Sequence, residues 1–407
     1  MAESRRRLRA PLAAAACLGI AVALCAPAAV VAAPPPPRCA EPATRTVPDL
    51  PWPQARLEME KVWQITRGAG QTVAVIDTGV DASVPQLKGA VVRGKDVVGG
   101  SGRGDTDCVG HGTFVAGIVA ARPANGLRFA GVAPESSILP VRQTTDGEDG
   151  SAGTMAAAIR AAVDGGARVI NISANSTTAS RDLESAVKYA VEKDVLIVAS
   201  VGNRSRQDRE NLKASFPASY PGVLGVAAVG RDDKPANFSE PGDFVDLAAP
   251  GADIISLGTG GPGYTIDQGT SFAAPFVAGT AALVRAYHPK LDVRQVIDRL
   301  LATTDRPAAA KLPDPQVGWG LVNPYRAVTA VLPQELTGGE TTGAAGGQGI
   351  TPGTGSPSAT ASVVVVAQEA EESPLRSALP FVLGAGGVLL LLSLGLLAAR
   401  FAARSRH

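Results

Sequence analysis

The stretch TVAVIDTG (residues 72–79) decides the fold, because its apolar, β-branched run ends at a carboxylate, Asp77. Further apolar runs of strand length follow it, with predicted helices between them. The apolar runs are residues 168–172, 195–199 and 223–229, and the predicted helices are residues 152–164 and about 181–193. Near-continuous apolar strands that alternate with helices are typical of a parallel sheet covered on both faces. The sequence therefore predicts an α/β fold with a mainly parallel sheet.

Polar side chains occupy the points where these strands end. Asp77, Ser173 and Asn203 each end or follow an apolar run. Open parallel sheets place their sites at the carboxyl ends of the strands, so functional side chains are expected there. An aspartate that ends a strand is more often a turn former. A buried carboxylate, however, needs a partner, and His111 is a suitable one.

Of the three histidines, His111 has the position most favourable for chemistry. His407 is the last residue, and His288 precedes Pro289 at the end of a predicted helix. His111 lies in GHGT (residues 110–113), where the flanking glycines let the backbone approach closely. We expect it at the start of a helix of small residues. Taken alone, a structural histidine explains this position at least as well.

Ser271 lies in GTSFAAP (residues 269–275), before a helix that we expect to end near Tyr287. A serine at a helix N-terminus is commonly a cap. A serine hydroxyl becomes a nucleophile when an imidazole lies within hydrogen-bond reach, and the imidazole needs a carboxylate that fixes its tautomer. Ser271, His111 and Asp77 supply these three groups.

Four motifs together resemble the subtilisin family, in the order that this family has. They are VIDTGV (75–80), HGT (111–113), SVGN (200–203) and GTS (269–271). The resemblance implies a subtilisin-like three-layer α/β/α fold and a serine endopeptidase that works through an acyl-enzyme, with no cofactor. It implies that Ser271 is the nucleophile, that His111 is the general base and acid, and that Asp77 orients His111. Asn203 then donates its side-chain amide to the oxyanion, beside the Ser271 backbone N–H.

The sequence departs from subtilisins beside the specificity pocket, where ANS (174–176) replaces the usual Leu-Gly-Gly. Other stretches resemble mycosins, the membrane-anchored subtilases of actinobacterial type VII secretion systems. They include CVGHGTFVAG (108–117), VRQ (141–143) and GWGLVNP (318–324). This resemblance implies processing of exported proteins and stabilisation of the secretion machinery, with its membrane components as partners. The alternatives are a general cell-surface subtilase that degrades extracellular protein and a mainly architectural subunit of the complex.

Both ends of the chain predict export and membrane attachment. Arginines 5–7 and 9 precede an apolar stretch at 11–26, which is typical of a signal peptide. A non-cleaved anchor helix is the alternative. Residues 379–399 are uncharged, long enough to span a bilayer, and followed by arginines, which predicts one pass with a cytoplasmic C-terminus. The catalytic domain is then extracytoplasmic.

The predicted organisation has six parts. They are a signal peptide (1–33), an extended N-terminal arm (34–60), the peptidase domain (61–332), a flexible linker (333–377), a transmembrane helix (378–400) and a cytoplasmic tail (401–407). Cys17 and Cys25 leave with the signal peptide. Cys39 and Cys108 then remain as an even pair in an oxidising compartment, which predicts a disulfide between them.

The net charge of the chain limits the class of molecule that it is expected to bind. The formal net charge of +1 gives no basic footprint for nucleic acid. We therefore expect protein or peptide substrates. Asp105, Asp107 and the acidic loop at 146–149 are interpreted as solvated loop charges, and no metal site is predicted.

Overall fold

The computed structural model describes residues 39–145, 151–204, 214–307 and 311–336. The predicted signal peptide, transmembrane helix, cytoplasmic tail and nearly all of the linker lie outside these residues. Within the described ranges, no helix combines the length and the apolar character that a membrane crossing requires.

A seven-stranded parallel sheet forms the centre of the fold, in the order β2-β3-β1-β4-β5-β6-β7. Its strands are β1 (Thr72–Asp77), β2 (Lys95–Asp96), β3 (Ser137–Arg142), β4 (Val169–Ile172), β5 (Leu196–Ser200), β6 (Val223–Val229) and β7 (Leu247–Pro250). A separate antiparallel pair consists of β8 (Ile254–Leu257) and β9 (Tyr264–Asp267). The predicted mainly parallel sheet is confirmed, with β1 inside the sheet between β3 and β4.

Helices cover both faces of the sheet. The helices are α1 (Trp52–Arg56), α2 (Met59–Val62), α3 (His111–Ala120), α4 (Ala152–Asp164), α5 (Arg181–Glu192), α6 (Thr270–Tyr287), α7 (Val293–Ala302), α8 (Pro324–Thr329) and α9 (Pro333–Leu336), with a 3₁₀ turn at Pro85–Leu87. Successive strand side chains point to opposite faces. Val73 and Val75 of β1 therefore join one core with α3 and α6, and Ala74 and Ile76 join a second core with α4 and α5.

The N-terminal arm is less extended than predicted. Residues 39–51 contain neither helix nor strand, but α1 and the start of α2 fall within the range 34–60 that was expected to be extended. Pro53 does not prevent α1, because a proline in the first turn has no N–H to satisfy and its fixed φ suits a helix. The arm therefore gives way to helices at Trp52.

The arm is attached to the domain by backbone hydrogen bonds and one covalent bond. The Ala43 N–H donates to the Thr259 carbonyl, and the Ala43 carbonyl accepts from the Gly263 N–H. The predicted disulfide joins Cys39 to Cys108, across 69 residues of sequence. Cys108 lies three residues before α3, so the arm is anchored beside the start of that helix.

Candidate active site

Asp77 and His111 form a hydrogen-bonded pair. Asp77 is the last residue of β1, His111 is the first residue of α3, and His111 Nδ1 lies 2.7 Å from Asp77 Oδ1. The same Asp77 oxygen accepts a 2.8 Å hydrogen bond from the Thr78 backbone N–H. The carboxylate is 3% exposed, whereas the imidazole remains 25% exposed. A carboxylate held below a partly open imidazole can orient that ring without blocking it.

Glycines allow α3 to begin directly against β1. Gly110, which precedes His111, has a φ of 95°, a conformation that side-chain-bearing residues rarely adopt. At Gly112, a Cβ would lie only 2.0 Å from the Gly79 carbonyl oxygen and 3.0 Å from the Asp77 Cβ. Gly110 is thus required by its backbone conformation, and Gly112 by the close approach that brings His111 to Asp77.

The surroundings of His111 raise its pKa above the ordinary value. Burial of the ring opposes protonation, but the negative charge and the hydrogen bond of Asp77 favour the imidazolium form. The charges of Asp107 and Asp267 act in the same direction. His111 is therefore a stronger base than a free imidazole.

Asp107 is not the solvated loop charge that the sequence suggested. It is buried, and its carboxylate accepts five hydrogen bonds from the residues around Asp77 and His111. The donors are the Thr78 hydroxyl, the Val109, Gly110 and Thr113 backbone N–H groups, and the Thr113 hydroxyl, at 2.7–3.1 Å. The carboxylate serves as the cap that α3 lacks at Gly110 and connects the end of β1 to the start of that helix. A capping pattern was available in the sequence, since Asp107 precedes the helix by a few residues.

Ser271 is the second residue of α6, as the sequence predicts. Its hydroxyl donates to the Ser173 carbonyl at 3.0 Å, and the Ser173 hydroxyl donates to the Ser271 carbonyl at 2.7 Å. Asn171 supports this contact, because its Nδ2 amine donates to the Ser173 hydroxyl at 2.9 Å. The end of β4 and the start of α6 are thus joined at the serine, and the Ser271 hydroxyl is turned toward Ser173 instead of His111.

Asn203 follows β5 and lies beside the start of α6. Its Oδ1 accepts hydrogen bonds from the backbone N–H and the hydroxyl of Thr270, at 3.0 and 3.1 Å. Within the described part of the chain, the Nδ2 amide group of Asn203 donates to no acceptor. The side chain is therefore fixed through its oxygen, with its donor group available at the cleft.

One cleft of about 270 Å³ contains all four predicted site residues: Asp77, His111, Asn203 and Ser271 line it together. The ring of Phe272, which follows the serine, lies 5.1 Å from the His111 ring and forms another part of the wall. In the described ranges, no group of three or more histidine, cysteine or acidic side chains is arranged to hold a metal ion. The site thus consists of a nucleophile candidate, an imidazole, a carboxylate and amide donors.

The fold and the contents of this cleft define a class, the α/β hydrolytic enzymes that combine Asp, His and Ser side chains at the edge of a parallel sheet. The family model of the subtilases, peptidase family S8, matches residues 68–320. The chain therefore belongs to the subtilase family, and it is a subtilisin-like serine protease.

Individual relatives agree with this assignment. A thermophilic serine proteinase of Bacillus sp. (strain AK1) is 40% identical over 269 residues, which are 66% of this chain but 64%, less than two thirds, of that protein. Mycosin-4 of Mycobacterium tuberculosis is 40% identical over 323 residues, covering 69% of this chain and 70% of the relative.

Solved structures of mycosins are also similar to this chain. The MycP3 protease from the type VII (ESX-3) secretion system superposes with a TM-score of 0.63 at 35% identity, covering 74% of this chain and 97% of that one. MycP1 from Mycobacterium smegmatis gives a TM-score of 0.65 at 32% identity, covering 78% and 95%. The relatives thus include mycosins, as the sequence resemblance implies.

Proposed function

We propose that this protein is a serine endopeptidase in which Ser271, His111 and Asp77 form the catalytic triad and Asn203 completes the oxyanion site. The observation that carries the proposal is the 2.7 Å contact between His111 Nδ1 and Asp77 Oδ1 in the cleft that also contains Ser271. Because Nδ1–H donates to Asp77, the other ring nitrogen is the one that accepts a proton.

The reaction follows from these positions. The Ser271 hydroxyl turns from the Ser173 carbonyl toward His111, which takes its proton as the oxygen attacks the substrate carbonyl. The Asn203 amide and the Ser271 backbone N–H stabilise the oxyanion. His111 then gives the proton to the leaving amine as the C–N bond breaks, and a water molecule hydrolyses the acyl-enzyme by the same steps.

Covalent labelling tests this assignment directly. The purified wild-type protein, incubated with a sulfonyl fluoride, should gain one modification on the peptide that contains Ser271, with loss of casein cleavage. S271A should gain none. Labelling of a different serine, or cleavage by S271A, would contradict the assignment of the nucleophile.

We further propose that the protease processes proteins exported by a type VII secretion system and stabilises that machinery. Its support is the group of mycosin relatives, together with the periplasmic assembly from an ESX-5 inner membrane complex. That structure matches with a TM-score of 0.64 at 30% identity and covers 83% of this chain. Because that match comes from an assembly, an architectural role is the second candidate.

Comparing S271A with deletion of the whole gene separates these roles. If the protein acts as protease and as subunit, S271A should abolish processing but retain export, and deletion should abolish both. Export that survives deletion would contradict the architectural role, and processing that also survives deletion would contradict the processing role and favour a general surface subtilase.

The last part of the proposal concerns the cellular location and membrane attachment of the protein. We infer an extracytoplasmic catalytic domain, a signal peptide at 1–33, a linker at 333–377 and one membrane helix at 378–400. A tag at the C-terminus should be inaccessible to external protease in intact cells, and truncation after residue 336 should release the domain from the membrane. A membrane-bound truncated protein would contradict this anchor.

A further inference from the structure

A buried carboxamide in the wall of the cleft has no role in the proposed triad. Gln143 follows β3 directly, is 1% exposed, and lines the same cleft as His111 and Ser271. Neither its Oε1 nor its Nε2 has a hydrogen-bond partner among the described residues. A carboxamide offers two donor and two acceptor positions, and leaving them unused in a buried place costs free energy.

Another buried glutamine, Gln86, shows what a satisfied carboxamide looks like in this protein. Gln86 is also buried, but its Nε2 donates to the Arg122 and Phe129 carbonyls and its Oε1 accepts from the Tyr264 hydroxyl. The backbone of Gln143 is well fixed, because its N–H donates to the Asp77 carbonyl at 2.9 Å. The unused carboxamide is thus carried by a fixed backbone position beside the proposed triad.

The sheet order gives the distance from Gln143 to the nucleophile. Gln143, Asp77 and Ser173 lie at the carboxyl ends of the neighbouring strands β3, β1 and β4. Two strand spacings are about 10 Å, and the Ser173 carbonyl holds the Ser271 hydroxyl. An extended peptide advances about 3.3 Å per residue. Gln143 therefore reaches a substrate residue within about three positions of the scissile bond.

The charge and the hydrogen-bonding groups around Gln143 determine which kind of substrate side chain fits beside it. The carboxamide is neutral and both donates and accepts. The second carboxylate oxygen of Asp77, Oδ2, is also buried without a partner in the described ranges, so it adds an acceptor and repels an anion. An uncharged side chain with its own donor and acceptor, such as Asn, Gln, Ser or Thr, satisfies Gln143 without bringing a charge out of water.

We propose that Gln143 is a specificity-determining residue that binds an uncharged polar side chain of the peptide substrate near the scissile bond. This inference rests on the proposed endopeptidase function, since it assigns a substrate class to that cleft. A site built to hydrogen-bond a polar group discriminates against an analogue that lacks it, because the buried polar atoms of the protein then stay unpaired.

A set of fluorogenic peptides tests the inference. The peptides differ only by Asn or Leu, which have similar size, at each of the three positions on either side of the scissile bond. At one position, wild-type protein should cleave the Asn peptide with a kcat/KM at least about tenfold above that of the Leu peptide. In Q143M this ratio should fall below about threefold. Equal rates in wild type, or a ratio that persists in Q143M, would overturn the proposal.

Two further variants make the result specific. Q268M makes the same change in an exposed glutamine of the same cleft, and it should leave the Asn-to-Leu ratio as in wild type. Q143L removes both the donor and the acceptor and is similar in volume, so it should also lose the preference, and it replaces Q143M if that variant does not fold. A uniform loss of turnover on all peptides with an unchanged ratio would mean that Gln143 only positions Asp77, and would overturn the proposal.

Binding separates this inference from the catalytic assignment. Calorimetry with S271A and with S271A/Q143M measures peptide affinity without turnover. Tighter binding of the Asn peptide that disappears in the double variant supports Gln143 even if wild type cleaves nothing, and only the endopeptidase function then fails. Cleavage of all peptides with no Asn preference in rate or affinity overturns Gln143 and leaves the endopeptidase function intact.

Discussion

The two halves of the proposed triad are held in different ways. In the acid–base half, His111 and Asp77 are already in contact at 2.7 Å, on a helix and a strand that pack closely. In the nucleophile half, the Ser271 hydroxyl donates to Ser173 and is not turned toward His111. The acid–base half is therefore complete before substrate binds, and the nucleophile half needs one side-chain rotation.

The difference has a physical cause. Asp107 carries a charge in the interior, and five donors around the start of α3 satisfy it, so the acid–base half has one stable arrangement. In the nucleophile half, the Ser271 hydroxyl attacks the substrate carbonyl, and the Asn203 amide stabilises a charge that exists only during the reaction. Their final contacts form when the substrate carbonyl arrives.

The largest effect should come from removing either reacting group, regardless of how firmly each half is held. S271A and H111A should each lower kcat by about 10⁶, the loss known for subtilisin, the reference case, and D77A by somewhat less. Single-turnover assays with folded protein of known concentration measure this loss. The double variant S271A/H111A should be no worse than either single one, because the pair acts as a unit. Additive losses would mean that the two halves do not form one triad.

Asn203 should affect the transition state only. N203A should lower kcat by about 10²–10³ with little change in KM, since the amide binds the oxyanion and not the ground state. N203D is the matched control, because it retains an oxygen for Thr270 but removes the amide donor. Both should lose activity. Activity in N203D close to wild type would remove Asn203 from the oxyanion site.

Asp107 should affect the rate of catalysis through His111, although Asp107 itself touches no substrate. D107N should lower kcat/KM by about tenfold and the free energy of unfolding by about 2 kcal/mol, because the amide cannot accept all five hydrogen bonds. D105N is a nearby control, because the Asp105 carboxylate pairs with the exposed Arg103 at the surface. D105N should stay within about twofold of wild type.

The pH profile distinguishes this role of Asp107 from loss of stability alone. The imidazole must be neutral to act as base, so kcat/KM falls as the pH drops through the pKa of His111. Because that pKa is raised, the wild-type acid limb should lie above pH 6.5, about the value of a free imidazole. D107N removes a charge that favours protonation, so its limb should move to lower pH. An unmoved limb would show that Asp107 is only structural.

The smallest effect on chemistry should come from the disulfide. Replacing Cys39 and Cys108 together by serine should lower the free energy of unfolding by about 2–4 kcal/mol, because the closed loop is long, and change kcat by less than about threefold. Thermal unfolding and peptide hydrolysis of the same samples measure both. A large loss of kcat in a folded double variant would mean that the arm itself holds the acid–base half in place.

Much of the local structure followed from the sequence. The helix predicted at 152–164 is α4 with the same bounds, and Ser271 lies at the start of α6 as expected. These segments are governed by short-range rules, namely apolar runs, glycine stops and serine caps. Family resemblance and the strand ends predicted that the four site residues share one cleft: Asp77, His111, Asn203 and Ser271. The spacing of these residues along the chain, however, gives no distance between them in space.

The remaining features were decided by tertiary packing. Asp107 looked like one of several loop carboxylates, and only the fold places it among five donors. Gln143 stood out in the sequence only as part of the mycosin-like stretch VRQ, and only the fold buries its carboxamide without a partner among the described residues.

The sequence by itself determined which segments form strands and helices, and which residue types can perform the chemistry, because these depend on local periodicity and on side-chain identity. Only the tertiary structure decided which of the polar groups are buried, which are satisfied, and which way the Ser271 hydroxyl points. Burial and hydrogen bonding depend on atoms from distant parts of the chain, such as Ser173 and Ser271, whose contact exists only after the sheet and the helix pack together.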